Sequence, residues 1–397
     1  MEDRRESVTL AEPLIVGEDS PRRIELNDLA LELAEKSASL RATLPASMRR
    51  SLADAVRSMN CYYSNLIEGH DTHPIDIERA LADDFSVDPE QRDLQLEAKS
   101  HIEVQRWVDN GGLSEHPTSP AMLKEMHRRF CENLPSSLLV TRDPVSGEEV
   151  EIIPGEFRTG FVKVGNHIPV SPGAVPRFLD HLHKSYTRPG RISGILGVAC
   201  AHHRLSWVHP FTDLNGRVMR MVSHATFLQV VNSEGLWSVS RGLARREQDY
   251  KRLIAAADEP RQGDRDGRGN LSESRLADFA KFFLEVSIDQ VDFMASLMKP
   301  EDLRNRIFHW IDAEVKAGNL PGKSEIIMRE VLWRGEIDRG EVASFLGVKD
   351  RMARNVTSKL VASGALVADS SRAPLRLSFS PKLAGKWMPG LFPEKTS

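Results

Sequence analysis

Little in this 397-residue chain advertises an unusual environment. It has three cysteines, Cys61, Cys131 and Cys200. They are odd in number and far apart, which excludes a disulfide framework or a cysteine-rich metal site and fits a reducing compartment. Aromatic residues make up only 6 % of the chain, too few for a base-stacking platform. No run approaches the ~18 consecutive apolar residues of a membrane span. The first residues lack the charged start and apolar stretch of a secretory leader. A cytoplasmic protein with no membrane partner is expected. A net charge of −4 excludes a general attraction to nucleic acid or acidic lipid.

What is present is ordinary globular material, 40 % apolar and 28 % charged, long enough for two or three domains. The charge is unevenly spread. Residues 301–397 hold 16 basic and 12 acidic side chains, and the rest of the chain holds 37 and 45.

Apolar spacing of three and four predicts helices over Leu26–Tyr63, Ile75–Leu81, Leu94–Val108, Pro120–Leu134, Val175–Tyr186, Ile192–Trp207, Gly216–Val231, Glu247–Ala256 and Leu276–Leu297. Residues 1–24, polar with Pro13 and Pro21, read as a loose arm with a short ordered piece at Leu10–Val16. Leu138–Pro172, rich in β-branched residues, Pro and Gly, reads as a small hairpin excursion. The Gly-rich run Pro260–Asn270 contains Asp264 and Asp266. As a calcium loop it would place Arg268 and Arg275 at ligand positions, so a solvated loop is expected instead. Beyond Lys299–Pro300, residues 337–346 and 349–360 suggest two short helices about Gly347-Val348. Residues 364–367 and 374–379 suggest two strands.

One segment gathers reactive groups, His209–Arg220, HPFTDLNGRVMR. A helix starting near Gly216 exposes backbone N–H groups and the positive end of its dipole to an anion. Asn215-Gly216 suits a tight turn. Arg217 and Arg220 lie three apart on the new helix, and their planar forks match phosphate oxygens. Asp213 offers a carboxylate to a hard cation such as Mg²⁺. His209 is a neutral base near pH 7. Each feature alone is commonplace: a lone histidine is usually structural, Asp-x-Asn-Gly is usually a turn, and paired arginines usually meet carboxylates. Their concentration in twelve residues points to phosphate chemistry.

The segment resembles the motif of the Fic family, His-Pro-Phe-x-Asp/Glu-Gly-Asn-Gly-Arg-x-x-Arg, at eight of nine specified positions. The resemblance implies a mainly α fold: a Fic-type helical core with a small β-hairpin flap, for which Pro154–Val164 stands. It implies an ATP- and Mg²⁺-dependent protein adenylyltransferase. His209 would deprotonate a Ser, Thr or Tyr hydroxyl of a target protein, which the chain itself can supply. Asp213 would hold Mg²⁺; Asn215, Gly216 and Arg217 would line the phosphate site; and Arg220 would meet the γ-phosphate. The departure is Leu214, where the family has Gly. Leucine is expected to keep to negative φ, because positive φ costs it roughly 1–2 kcal/mol.

SNLIEG, Ser64–Gly69, places Ser64 and Glu68 one helical turn apart before a Gly stop. It resembles the family's inhibitory motif, which implies that Glu68 pairs with Arg220 and blocks the γ-phosphate. The C-terminal pattern resembles a winged helix-turn-helix, with Lys349, Arg351, Arg354 and Lys359 on its second helix. It leaves DNA or a protein as its partner, and a homodimer is expected. The expected layout is an arm (1–24), an N-terminal helical region (25–115), a Fic core (116–298) and a winged helix (301–397). Three other readings stay open: removal of AMP, a nucleotide-sensing DNA-binding regulator, and transfer of UMP or phosphocholine.

Overall fold

The computed structural model describes residues 2–142, 147–187 and 190–393. The tip of the expected hairpin, residues 143–146, and the last four residues of the C-terminal region lie outside them.

The periodicity of Leu26–Tyr63 resolves into two helices, α1 (Arg23–Ala42) and α2 (Ala46–Ile67), parted by Pro45, whose ring cannot continue a helix. α3 (Pro74–Leu81) and α4 (Pro89–Asp109) follow. Each opens on a proline at its first position, where the missing N–H costs nothing. α5 (Pro120–Cys131) precedes a two-stranded antiparallel hairpin, β1 (Val140–Arg142) and β2 (Glu149–Glu151). Then come α6 (Val175–Tyr186), α7 (Arg191–Val208), α8 (Asn215–Val230), α9 (Val239–Arg245), α10 (Glu247–Ala256) and the long α11 (Glu273–Leu297). α7 and α8 lie side by side in the core, with α1 and α11 packed together and against α7. α2 runs alongside, contacting α4, α8 and α9.

Met298-Lys299 parts α11 from α12 (Pro300–Lys316). α13 (Ser324–Arg334), β3 (Glu336–Ile337), α14 (Val342–Leu346), α15 (Asp350–Ala362), β4 (Leu366–Val367), β5 (Leu375–Leu377) and α16 (Pro381–Trp387) complete the chain. The sheet order is β3-β5-β4, all antiparallel. Ile337, expected to begin a helix, instead ends the strand β3, and α14 is shorter than its pattern. Gly347 takes the left-handed turn between α14 and α15.

The hairpin lies within the expected Leu138–Pro172 excursion but ahead of the segment expected as the flap. Pro154–Val164 forms no ladder with itself: Gly155 is left-handed, and Arg158 gives its N–H to the Pro210 carbonyl. The N-terminal arm is docked beyond the expected ordered piece Leu10–Val16. Ala11 and Val16 are fully buried, Glu6 accepts from the Ser171 N–H at 2.8 Å, and the Tyr186 hydroxyl donates to the Leu14 carbonyl at 2.5 Å. Its few apolar side chains fill the gap beside α6 and α7, which outweighs the polar composition. In the Gly-rich loop, Asp266 is buried and accepts from the Gln262 and Ser274 N–H groups at 2.8 Å, so that loop is organised from within.

α2 meets the C-terminal elements along its first half. Arg50 pairs with Glu336 at 3.0 Å. Buried Arg376 of β5 donates to Ser51 Oγ at 2.9 Å and to Asp54 at 3.1 Å. Arg57 then bridges Asp54 and Asp109, and Asp109 meets His224 of α8 at 2.7 Å.

Candidate active site

α7 ends at Val208, and His209 turns the chain in the left-handed conformation (φ 49°). The loop to α8 is held from within. Asn215 accepts from the Phe211 N–H and donates to the Phe211 carbonyl, both at 2.9 Å. Its side chain therefore shapes the loop and is not turned toward a ligand. Leu214, the residue before α8, has φ 62°. The expected negative φ is not what the fold adopts: Leu214 accepts the strain of the glycine position and leaves the backbone where glycine would put it. The left-handed residues are thus His209 and Leu214, not the Asn215-Gly216 pair. The first-turn amides of α8, at Asn215, Gly216 and Arg217, have no carbonyl partner within the helix and form an anion nest.

A cavity of about 380 Å³ opens beside His209 and Thr212, walled by Ile153, Phe157, Arg158 and Phe161 of the flap region. Arg158 is 1 % exposed and spends its guanidinium on carbonyls: Nε to His209 at 2.8 Å, Nη1 to Gly160 at 3.0 Å, and Nη2 to Val208 at 3.5 Å and to Val170. Burial, followed by the Arg158 charge, pushes the His209 pKa down to about 4. The imidazole is therefore neutral, the form a base needs. His127 stacks on Phe211 with ring centroids 4.1 Å apart and accepts from the Gly155 N–H at 2.9 Å, tying the flap region to the loop.

Asp213 is exposed, one oxygen accepting from the Leu214 N–H at 2.6 Å. No cluster of three metal-ligating side chains occurs among the described residues. A single solvent-facing carboxylate fits a Mg²⁺ ion whose other ligands are phosphate oxygens and water.

The two arginines are engaged. Arg220, 2 % exposed, gives Nε to Ser64 Oγ at 2.8 Å, and Nη2 to the Ser64 carbonyl at 3.0 Å and to Glu68 Oε1 at 2.5 Å. α2 stops there because Gly69 (φ 88°) makes a left-handed cap, with His70 N–H bonded to the Asn65 carbonyl at 2.9 Å. That stop brings Glu68 over the start of α8: a methyl group on Gly216 would lie 2.2 Å from Glu68 Oε1. The carboxylate thus sits at the anion nest itself. Burial pushes the Glu68 carboxyl up, but the Arg220 charge and hydrogen bond, together with the charges of Arg217 and His70, hold the group below its ordinary value. Arg217 is buried and reaches Glu97 and His70.

The motif residues thus converge on one place: His209, Asp213, Asn215, Gly216, Arg217 and Arg220 with Ser64 and Glu68. Sequence reasoning missed His127, Arg158, His70 and Glu97. Of these, only Arg158 carried a signal, lying in the flap segment EFRTG.

The sequence profile of the Fic/DOC family matches residues 116–227. The chain carries a Fic domain. It is similar to the protein adenylyltransferase Fic of Drosophila willistoni, 27 % identical over 203 residues, which is 50 % of this chain and 37 % of that protein. The Drosophila melanogaster protein of that name is 26 % identical over 190 residues, 46 % and 34 % of the two chains. This chain therefore spans little more than a third of the length of these relatives. In fold it is similar to a Fic family protein from Desulfovibrio desulfuricans, with a TM-score of 0.53 and 16 % identity over 92 % of this chain and 98 % of that one. C. elegans Fic-1 (residues 134–508) gives a TM-score of 0.51 and 18 % identity over 70 % and 74 %. The Fic domain spans the flap region, α7 and most of α8. Among the described residues no helix is long and apolar enough to cross a membrane.

Proposed function

We propose that this chain is a Fic-type adenylyltransferase held inactive by its own α2. The observation that carries the reading is Glu68 lying on Arg220 above the α8 amides, opposite a neutral His209. In the reaction, a target hydroxyl in the flap-side cavity gives its proton to His209 as its oxygen attacks the α-phosphorus of ATP. The bond from that phosphorus to the α,β-bridging oxygen breaks, pyrophosphate leaves, and AMP remains on the target. The α8 amides and Arg220 carry the charge on the phosphates. Mg²⁺, held through Asp213, would neutralise the phosphate oxygens. With Glu68 in place, its carboxylate occupies the guanidinium and repels the triphosphate.

The test uses ATP labelled at the α-phosphate, with Mg²⁺ and a cell lysate as target source. Label on protein should rise in Glu68→Gly and vanish when His209→Ala is added. Label that persists without His209 removes it as the base.

A second reading, a nucleotide-sensing regulator, draws on the C-terminal elements, which we take to be a winged helix. Lys349, Arg351, Arg354, Asn355 and Ser358 are exposed on one side of α15 around a shallow hollow. Such a row suits phosphates of duplex DNA, and two-fold binding would require a homodimer. Salt-sensitive duplex binding with no label transfer in any variant would favour this reading. No duplex binding at low salt would remove it.

A further inference from the structure

The brake on Arg220 has a neighbour. Arg217 stands on the first turn of α8 with its side chain 6 % exposed. Its Nη2 donates to Glu97 Oε2 at 3.1 Å and lies 2.9 Å from His70 Nδ1. His70 Nδ1 is itself 2.5 Å from the same Glu97 oxygen. Three groups thus share one point of contact, and the carboxylate is only 10 % exposed. Arg217 is near enough to Glu68 for its charge to help lower that carboxyl, yet among the described residues its hydrogen bonds run to Glu97 and His70. Its Nε is buried without a partner.

We propose that Glu97, with His70, is a positioning residue that ties Arg217 back from the nucleotide. Phosphate must then break this tie in addition to the Glu68–Arg220 pair. The proposal rests on the phosphate-binding reading of the α8 N-terminus given above. Its physical content is an exchange of partners. A phosphate that takes Arg217 leaves the Glu97 carboxylate, occluded between α4 and α8, without its cation, and sets like charges side by side. Glu97 comes from α4, whereas His70 comes from the cap that ends α2. The second tie therefore depends on the same turn that carries Glu68: His70 N–H closes the cap onto Asn65, and Glu68 is the C-cap residue of α2. When α2 withdraws, both arginines lose a partner, and Glu97 alone keeps Arg217.

The test is Glu97→Gln, which removes the charge and keeps the shape, made in the parent and in Glu68→Gly. Calorimetry gives the affinity for inorganic pyrophosphate and for ATP with Mg²⁺, and labelled transfer gives KM and kcat. Releasing one charge-assisted hydrogen bond should tighten both ligands about tenfold in each background. KM for ATP should fall with kcat unchanged. Weaker binding would mean that Glu97 aims Arg217 at phosphate. An unchanged affinity with a lower Tm would make Glu97 a purely structural partner. Either result overturns the proposal. If Glu97→Gln does not fold, His70→Ala at its half-exposed position must tighten pyrophosphate in the same direction, and an unchanged affinity there overturns it equally. Loss of transfer in every variant, with pyrophosphate affinity still shifting, would sink adenylyl transfer and leave the tie standing.

Discussion

Replacing Glu68 by glycine removes the carboxylate that meets Arg220. Arg220 makes three hydrogen bonds to α2, two to Ser64 and one to Glu68. Glycine removes only the charge-assisted one, worth about 1.5–3 kcal/mol. A phosphate in that place no longer has to displace it, so nucleotide affinity should rise about 10- to 150-fold. The free protein should weaken at the same time, because a guanidinium 2 % exposed loses its carboxylate. A fully buried pair broken on one side costs about 3–5 kcal/mol. The Glu68 side chain is 35 % exposed and Ser64 remains, so about 1–2 kcal/mol is expected. Tm should then fall by roughly 1–3 °C without ligand and recover with ATP and Mg²⁺. Titration calorimetry and thermal unfolding of parent, Glu68→Gly and Glu68→Gln measure both quantities. A nucleotide Kd in Glu68→Gly within about threefold of the parent, far short of the expected gain, refutes the competition between carboxylate and phosphate.

Three further outcomes are expected. Burial lowers the pKa values of His127, His202 and His203 to about 4, 3 and 4, against an ordinary 6.5. The fold favours their neutral forms, so this stability is present above the ordinary value and is lost as the pH falls toward the folded values. Each costs about 2 kcal/mol near pH 5, so Tm at constant ionic strength should drop steeply from about pH 6.5 downward. Leu214→Gly relieves roughly 1–2 kcal/mol of left-handed strain but loses apolar contact and adds unfolded-state freedom; stability should change by less than about 1 kcal/mol in urea unfolding. Because the backbone already holds the glycine conformation, nucleotide affinity in a Glu68→Gly background should stay within about threefold. Arg158→Met strips four carbonyls of their donor and should cost about 3–5 kcal/mol. It also removes a charge that depresses His209, so the acid limb of the transfer rate should move up from about 4.

The legible part of this molecule is the part whose chemistry is consecutive in sequence. His209, Asp213, Arg217 and Arg220 lie within one loop and the first turns of one helix, so their convergence follows from chain connectivity. Helices such as Val175–Tyr186 and Glu247–Ala256 were legible from apolar spacing because one face of each meets the core. Glu97 was not, because its partner lies 120 residues away and a carboxylate on an amphipathic helix is an ordinary surface residue until α4 meets α8. Arg158 likewise depends on carbonyls that turn toward it only after α7 has ended. The conformation of Leu214 ran against local preference: the buried loop on either side, fixed by Asn215 and Phe211, overrides the leucine's own φ. In the N-terminal arm the apolar piece Leu10–Val16 was legible, whereas the docking of Glu6 on Ser171 was not, because a carboxylate in a polar stretch carries no signal until its partner is placed.

α2 is also a mechanical part. Its 22 residues form one unbroken helix, a rod of roughly 33 Å. One end is bolted to β3 and β5 through Arg50, Ser51 and Asp54, and the other end carries Glu68. A tilt of roughly 2° about the bolted end would move the tip by about 1 Å, enough to carry a short hydrogen bond past its useful range. A load on the C-terminal sheet therefore reaches the Glu68 carboxylate with no loop between them to absorb it, as a push on the handle of a lever reaches its point.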